Sequence, residues 1–522
     1  MKRHLVLTLA LFAGVAARGT AQSLPAEDPI LRRIWAIGMD SSRTYQLAQA
    51  LMDSVGPRLT ATAAQRAGND WLVKNYQSWG IEARNEQYGT WPNWSRGYTH
   101  IDLVAPRVRT LEGTMLAWSA GTKGPVTAAP VILPELADSG ALVNWAPNAK
   151  GKFVLISFAE PSCRPDRQWQ EMATPDVFTR FKSQRDTARA VFQRRLRNLG
   201  GQNRVRTILE QAGAKGILQS NWSLDYGVNK VFSANTQTVP AVDLSCEDYG
   251  LVYRLTQNNQ GPMLRIDAQA TFNGNAPLQN TIAMIRGSEK PNEYVMLSAH
   301  FDSWDAGSGA TDNGTGTIVM MEAMRILKQV LPNPKRTILV GHWTSEEQGL
   351  NGSKAFVKDH PEIVNGMQAL FNQDNGTGRV QNMSSAGFLN APGVLASWLG
   401  RLPTELTSDI KFGFVGNPGF GGTDSSSFVC AGAPAFGLGS LDWGYGTYTW
   451  HTNRDTFDKI VFEELKRNAT LTAMLAYQAS EDPRTMPRDK RTVFPRSPQT
   501  GQPGTWPACS DGQRVPPATL GR

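Results

Sequence analysis

Three apolar segments in the last third of the chain each lead into side chains that can bind a metal ion. The segments 294–299, 337–345 and 367–373 have the length and composition of buried strands. In an open α/β sheet, ligands bind beyond the carboxyl ends of the strands, so we expect the side chains that follow these segments to lie along one edge. In chain order, these side chains are His300, Glu346 with Glu347, and Asp374.

Two further residues can reach the same edge of the predicted sheet. Asp312 lies between a Gly/Ser/Ala-rich loop at 306–310 and an amphipathic helix that begins near Thr315, and His451 follows a loop rich in Trp, Gly and Tyr at 443–450. Two imidazoles and three carboxylates are nitrogen and oxygen ligands that suit Zn²⁺. Five ligands exceed the need of one catalytic zinc, whereas two metals about 3.5–4 Å apart that share a carboxylate fit the count.

The adjacent acids Glu346 and Glu347 are the most informative pair. Neighbours on a loop point in different directions, so one carboxylate can bind a metal while the other faces the water that the metal activates and accepts its proton. Asp302 lies two residues after His300. We therefore expect its carboxylate to accept the second ring N–H of that histidine and fix its tautomer.

Periodicity predicts the elements that position these residues. From about residue 266 onward, apolar strands alternate with amphipathic helices, which is the pattern of a parallel α/β sheet. His342 within a strand and His360 in a loop are predicted to be structural. The other predicted elements are helices over 29–55 and 63–79, a strand over 152–158, a helix, glycine turn and strand over 207–218, and an irregular or wrapping proline-rich tail over 482–522.

The 522-residue chain has 40% hydrophobic and 19% charged residues, which excludes collagen-like, coiled-coil and wholly disordered proteins. Its net charge of +8 is concentrated at the ends, because residues 1–21 carry +3 and residues 482–522 carry +4. The body is nearly neutral, so a dedicated nucleic-acid binder is excluded. The stretch 180–206 holds nine Lys/Arg against the single acid Asp186, and we predict a solvated helix face that acids from elsewhere neutralise.

A signal peptide is predicted over residues 1–21. Lys2 and Arg3 precede an apolar stretch of 13 residues at 5–17, and small residues lead to a cleavage site after Ala21. The apolar stretch is too short to span a bilayer, and no other run of the sequence approaches the length required. The mature protein is therefore expected to be secreted or periplasmic.

The four cysteines are Cys163, Cys246, Cys430 and Cys509. None of them forms a CxxC pair, so a cysteine zinc site is not expected. An exported protein can form disulfides, and Cys163 with Cys246 is a candidate pair because both fall in one predicted domain.

Motifs around the candidate ligands resemble those of the M28 family of dizinc exopeptidases. They are SAHFDSW at 298–304, GATDNGTG at 309–316, WTSEEQG at 343–349, HTNRDTFDK at 451–459 and, earlier in the chain, GPRL at 56–59. The resemblance covers about 29–113 and 266–480, and the segment between them is similar to the protease-associated (PA) insert of one branch of the family. It implies an α/β fold, the zinc-exopeptidase (phosphorylase/hydrolase-like) α/β/α sandwich, with a β-rich PA-like domain inserted.

The resemblance also divides the chain into parts. The parts are a signal peptide at 1–21, the catalytic domain at 22–113 and 266–481 with the metal site in its second part, the PA-like insert at 114–265 and the basic, proline-rich tail at 482–522. We expect the insert to cover the cleft and to limit the length of the substrate.

The same resemblance implies a role for each candidate residue. Asp312 would bridge two zinc ions, with His300 and Asp374 completing one site. Glu347 and His451 would complete the other site. Glu346 would act as the general base while a bridging water attacks the peptide carbonyl, and it would deliver the proton to the leaving amine.

One position departs from the family pattern. In some relatives a tyrosine immediately precedes the last histidine ligand and donates a hydrogen bond to the oxyanion, whereas this chain has Trp450. Tyr445 and Tyr448 lie nearby in the sequence and are alternative donors. The identity of the oxyanion donor is therefore left open among these three residues.

The sequence favours an exported aminopeptidase or dipeptidase that acts on short peptides. A carboxypeptidase selective for acidic C-termini is the nearest alternative, but it would need an arginine cluster at the pocket and no sequence signal places one there. A receptor-like homologue without catalysis is disfavoured because all six key positions are retained. A single-zinc glutaminyl cyclase is disfavoured by the complete two-metal set. Peptide substrates are expected, nucleic-acid partners are not, and a homodimer is left open.

Overall fold

The computed structural model describes residues 28–234, 236–419, 421–496 and 501–517. The predicted signal peptide lies outside the described residues. The strands are β1 Glu82–Ala105, β2 Arg109–Thr110, β3 Gly113–Met115, β4 Val126–Ala128, β5 Pro130–Ile132, β6 Phe153–Leu155, β7 Gly216–Gln219, β8 Ala241–Leu244, β9 Met263–Ile285, β10 Lys290–His300, β11 Arg336–Trp343, β12 Met367–Asn372, β13 Val380–Ser384, β14 Lys411–Gly413, β15 Ala435–Gly437 and β16 Gly439–Ser440. The α-helices are α1 Pro29–Trp35, α2 Thr44–Gln49, α3 Ala63–Ser78, α4 Ser139–Trp145, α5 Asp166–Met172, α6 Pro175–Asn198, α7 Gly201–Gln211, α8 Cys246–Gln257, α9 Thr315–Val330, α10 Asn351–Asp359, α11 Pro361–Asn365, α12 Ala391–Leu399, α13 Thr404–Thr407, α14 Ser425–Cys430 and α15 Phe462–Glu481.

A central eight-stranded sheet carries the fold. Its order is β15-β12-β10-β11-β9-β1-β2, with β4 paired to β9 off this path. The strands β15, β12, β10 and β11 are parallel, whereas β9 runs antiparallel to β11 and β1 antiparallel to β9. Every residue of β11 and β12 is buried, as expected for parallel strands that lie under helices. The predicted α/β class is confirmed.

Helix α9 is the most deeply buried of the helices that pack on the central sheet. Fourteen of its sixteen residues are buried, because it packs against both β10 and α15. Lys328 and Gln329, close to the end of α9, are more exposed. A helix that is apolar almost all round belongs inside a domain, and this one fixes the loop that precedes it against the sheet.

The first predicted helix, 29–55, is interrupted in the structure. α1 and α2 are separated by a π-helical turn at Ala36–Asp40 and by the residues 41–43. Serines at 41 and 42 favour non-helical backbone, and the backbone N–H of Arg43 donates to Oε1 of Glu322 in α9 instead of to a helical carbonyl. The second predicted helix, 63–79, is present as α3.

A long antiparallel ribbon joins the central sheet to the segment 114–265, which was predicted to be an insert. β1 and β9 pair from Glu82 with Met284 to Ala105 with Met263, so the segment between them begins at the far end of the ribbon. That segment forms a second sheet in the order β3-β8-β7-β6-β5, with β5 to β8 parallel. Helices α4 to α8 occupy much more of the segment than its short strands, so the expectation of a β-rich insert is wrong, because parallel strands need helical crossovers.

The basic stretch of the insert lies mainly on α6, and its arginines are paired with acids. Arg185 contacts Asp166 at 2.5 Å, and Arg189 contacts Glu160 at 2.6 Å. Arg195 is paired with Glu135. The predicted neutralisation by acids from elsewhere is present for these three arginines, but Arg185 is buried and not solvated as predicted.

Two disulfides form. Cys163 is bonded to Cys246, as the sequence suggested, with Cα atoms 5.8 Å apart. Cys430 is bonded to Cys509, a pair that the sequence analysis did not propose. The second disulfide ties the tail to α14, and Trp506 of the tail packs against Phe388. The tail is therefore a wrapping segment in its described part. None of the helices in the described ranges is long and apolar enough to cross a bilayer.

Candidate metal centre

Five of the predicted ligands form two groups that share one carboxylate. In the first group, Nε2 of His300 lies 3.1 Å from Oδ1 of Asp374 and 3.4 Å from Oδ1 of Asp312. In the second, Nε2 of His451 lies 2.8 Å from Oε2 of Glu347 and 3.2 Å from Oδ2 of Asp312. Within each group, the potential ligand atoms all lie within 4.8 Å of one another. Asp312 thus contributes one oxygen atom to each group.

The order of the strands explains why these side chains meet. β10 lies between β11 and β12 and runs parallel to both, so the three carboxyl ends are side by side. His300 is the last residue of β10, Glu347 comes four residues after β11, and Asp374 comes two residues after β12. The site therefore forms where open α/β sheets bind ligands.

Asp312 is held by a carboxylate from another part of the chain. It lies in the π-helical turn Ala310–Gly314 that precedes α9. Asp455 accepts the backbone N–H groups of Thr311 and Asp312 at 2.8 and 3.0 Å, and burial raises the pKa of Asp455 to about 7. The sequence analysis gave Asp455 no role, although its place in the same motif as His451 was an available indication.

Arg58 is a second residue whose role the sequence analysis missed, although its GPRL motif had been noted. Its buried guanidinium braces the loop between the two ligands His300 and Asp312. Burial lowers the pKa of Arg58 to about 10, although nearby Asp455 opposes the shift. It donates to the backbone carbonyl oxygens of residues 56, 301, 308 and 309 at 3.0, 2.7, 2.8 and 2.8 Å.

The predicted role of Asp302 needs correction. The ring Nδ1 of His300 lies 3.0 Å from the backbone oxygen of Asp302 but 3.8 Å from its carboxylate, so the main chain is the partner of the ring. The carboxylate instead accepts the backbone N–H groups of Glu346 and Glu347 at 3.1 and 3.3 Å. The side chain of Asp302 thus positions the backbone of both glutamates in the loop that follows β11.

The pKa values of the two imidazoles shift in opposite directions. Burial lowers the pKa of His300, but the neighbouring carboxylates, Asp374 first among them, outweigh it and hold that pKa well above the ordinary 6.5. Desolvation dominates at His451 and lowers its pKa to about 4. The His451 imidazole is therefore neutral at neutral pH and can offer a lone pair to a metal, whereas a metal at His300 must displace a proton.

The site holds more buried carboxylates than the nearby positively charged side chains can neutralise. Desolvation raises the pKa of Glu346 and of Glu347 well above the ordinary 4.5, and burial raises that of Asp424 to about 7. Within the described chain, Oε1 of Glu347 and Oδ2 of Asp312 are buried without an aligned hydrogen-bond donor. Buried carboxylates that lack donors are stabilised by cations, so these residues fit a metal site.

The three candidate oxyanion donors occupy different places. The hydroxyl of Tyr445 donates to Oδ1 of Asp312 at 2.9 Å, and burial raises the pKa of Tyr445 well above 10.0. The Trp450 ring stacks on the His451 ring with centroids 3.9 Å apart. Tyr448 lies in the same π-helical turn as Tyr445, Tyr445–Thr449. Of the three, Tyr445 is the one that contacts a residue of the ligand groups through its hydroxyl.

His342 and His360 lie outside the ligand groups, as predicted. The hydroxyl of Tyr76 and Nε2 of His342 are 2.7 Å apart in the core, where desolvation lowers the pKa of His342 to about 3. His360 is paired with Glu86. Both histidines are therefore structural.

The sequence of the part of the chain that carries the site is similar to sequences of known peptidases. Residues 280–476 match the family model described as Peptidase family M28, and this range contains both ligand groups. Carboxypeptidase Q of Mus musculus is 24% identical over 453 residues, which cover 86% of this chain and 88% of the relative.

Solved structures show the same fold. A peptidase M28 precursor from Shewanella amazonensis SB2B covers 90% of this chain and 98% of its own, with a TM-score of 0.65 and 23% identity. BSAP, a zinc aminopeptidase from Bacillus subtilis, covers 86% of this chain and 97% of its own, with a TM-score of 0.55 and 20% identity. Residues 280–476, which include the strand ends that carry both ligand groups, are therefore a segment of the M28 metallopeptidase type.

Proposed function

We propose that the protein is an exported, zinc-dependent exopeptidase that hydrolyses short peptides as an aminopeptidase or dipeptidase. The observation that carries this proposal is the pair of ligand groups sharing Asp312. His300 and Asp374 would hold one ion and Glu347 and His451 a second, with Asp312 between them. The nitrogen and oxygen donors suit zinc, and a zinc aminopeptidase is among the proteins with this fold.

When bound, the two ions polarise the scissile carbonyl and make water a stronger acid. The residues of the chain supply the proton transfers. Glu346 belongs to neither ligand group, and its backbone is fixed beside them by Asp302. We propose that its carboxylate accepts the proton of the attacking water and passes it to the nitrogen of the leaving amine.

Export is part of the proposal. The sequence begins with a predicted signal peptide, and both disulfides, Cys163–Cys246 and Cys430–Cys509, favour an oxidising compartment. A carboxypeptidase is the second candidate, because the mouse relative carries that name. The two candidates differ in which end of the peptide must be free.

The first test compares a free dipeptide with its N-acetylated form, with and without a chelator. We expect the free form alone to be cleaved, because an aminopeptidase or dipeptidase requires the free amino group. We also expect the chelator to abolish the reaction and added Zn²⁺ to restore it. Cleavage of the blocked form would favour the carboxypeptidase, and chelator-resistant cleavage would contradict the proposed mechanism.

A second prediction concerns the oxyanion donor. We expect Tyr445→Phe to lower kcat about 10²-fold with little change in KM, because a hydroxyl that stabilises only the transition state contributes to kcat. Tyr448→Phe removes a hydroxyl from the same turn and is the paired variant. A loss confined to Tyr448→Phe would transfer the role to that residue, and unchanged rates in both would exclude the two tyrosines.

A further inference from the structure

A cavity of about 180 Å³ lies beside the metal centre, on the side of the insert. Its walls come from the end of β6, from α6 and α7, and from the segment 220–232 that follows β7. The residues used below are Glu160, Arg189, Lys230 and Phe232, all of which line it.

Two of these wall residues adjoin the ligand His451. The Phe232 ring meets the His451 ring edge-on, with centroids 5.2 Å apart. Nζ of Lys230 lies 4.0 Å from the centroid of the Trp450 ring, and that ring stacks on His451 with centroids 3.9 Å apart. The ammonium group is therefore within about 8 Å of the ligand's ring centroid.

The backbone fixes Lys230 in this place. The N–H of Val231 donates to the carbonyl oxygen of His451 at 2.8 Å, and that of Asn229 donates to Oδ1 of Asn453 at 2.9 Å. Lys230 itself forms a β-bridge with Thr452. The insert and the loop that carries the ligand are thus hydrogen-bonded on both sides of the lysine.

The charge of Lys230 is not neutralised locally. Its ammonium donates to the carbonyl oxygen of Gly446 at 3.0 Å, and no carboxylate of the described chain lies within 4.0 Å of it. Arg189, the other cation of the cavity, is paired with Glu160 at 2.6 Å. Desolvation lowers the pKa of Lys230 while Asp312 opposes the shift, so an added anion would offset the cost of burying this charge.

We infer that Lys230 binds a carboxylate of the substrate, on the residue that follows the scissile bond. The inference rests on the proposed function and specifies its substrate class, namely dipeptides and other short peptides with a free carboxylate within reach. One residue spans about 3.3–3.6 Å and a hydrogen bond adds about 3 Å, so a carboxylate on that residue falls within the limit of about 8 Å that separates the ammonium group from the His451 ring. Lys230 lies in the segment 114–265, so the predicted insert would supply a substrate-binding residue.

Oε2 of Glu160 offers a second contact in the same cavity. It is buried and has no hydrogen-bond donor within the described part of the chain, while Oε1 accepts from Arg189. Because Arg189 balances the charge of Glu160, the cavity retains the single positive charge of Lys230. An N–H group of the bound peptide can satisfy the free oxygen.

The test measures binding with a probe that is not hydrolysed. The probe is leucyl-alanine with the peptide bond reduced to CH₂–NH, prepared with a free carboxylate and as the C-terminal amide. By calorimetry, we expect the wild type to bind the acid at least about 10-fold more tightly than the amide. Lys230→Met should abolish this preference and Lys230→Arg should keep part of it, whereas Lys150→Met, at an exposed position of the insert, should keep all of it.

The outcomes separate this inference from the proposed function. Equal binding of acid and amide by the wild type, or an intact preference in a folded Lys230→Met protein, would overturn the inference. A Lys230-dependent preference in a protein without peptidase activity would support the inference and contradict the proposed function. A second pair of reduced-bond probes, the C-terminal amides of leucyl-glutamine and leucyl-glutamate, differs only in a side-chain carboxylate. Tighter binding of the glutamate probe would show that Lys230 binds a side-chain carboxylate, and equal binding would show that it binds the C-terminal one. The melting temperatures of the variants show whether the change has disturbed the fold.

Discussion

The substitution Glu346→Gln is expected to lower kcat by about 10²–10⁴-fold while both metals and the fold are retained. Glutamine has the same shape but cannot take the proton from the attacking water. The loop should keep its conformation, because the backbone N–H of residue 346, and not its side chain, is bound by Asp302. The measurement is kcat for a free dipeptide together with the metal-to-protein ratio.

The neighbouring residue provides the matched control. Glu347→Gln changes the same chemical group one position further on, but its carboxylate lies 2.8 Å from Nε2 of His451 in a ligand group. We therefore expect that variant to lose metal as well as activity. Glu289→Gln, on an exposed glutamate, should behave like the wild type. Turnover near the wild-type value in Glu346→Gln would rule out Glu346 as the general base.

The substitution Asp312→Asn is expected to weaken both metal sites at once. The Asp312 carboxylate offers one oxygen to each ligand group, and a neutral amide is a poor replacement for a shared carboxylate. Activity should fall to the level of the chelated wild type. Zinc should raise the melting temperature of the wild type but not that of Asp312→Asn, because a ligand stabilises a protein only to the extent that it binds.

Asp374→Asn is the comparison for this prediction. Asp374 belongs only to the group of His300, so its loss should lower occupancy at one site and leave the other. A metal-to-protein ratio near one in Asp374→Asn and near zero in Asp312→Asn is the expected pattern. Two metals retained in Asp312→Asn would contradict the shared role.

The ligand groups were predictable because they depend on a general property of parallel sheets. His300, Glu347 and Asp374 each follow a buried strand, and the ends of such strands meet whatever the details of the loops. The direction of one side chain in the loop after a strand follows no such rule. Asp302 was therefore assigned to the wrong partner, although its position beside the site was expected.

Contacts between distant segments were not predictable from the sequence. Lys230 is far from His451 in the chain, and the two come together because the backbone of residues 229–231 is hydrogen-bonded to the loop at 451–453. The partner of Cys430 was missed for the same reason, since the path of the tail depends on contacts such as those of Trp506 with the body. Helices within 180–206 and 207–218 were predicted from the sequence pattern, whereas the expectation of a β-rich insert came from the family resemblance alone.

The path of the tail has a consequence for how the protein is made. Arg488 donates to the backbone oxygens of residues 364, 365 and 367, and Arg514 donates to the backbone oxygen of Tyr88 and to Asp359. The long strand β1 and helix α10 therefore gain these contacts only after residue 514 has been synthesised. A nascent chain that has not reached residue 514 therefore lacks the donor for the backbone oxygen of Tyr88 and for Asp359.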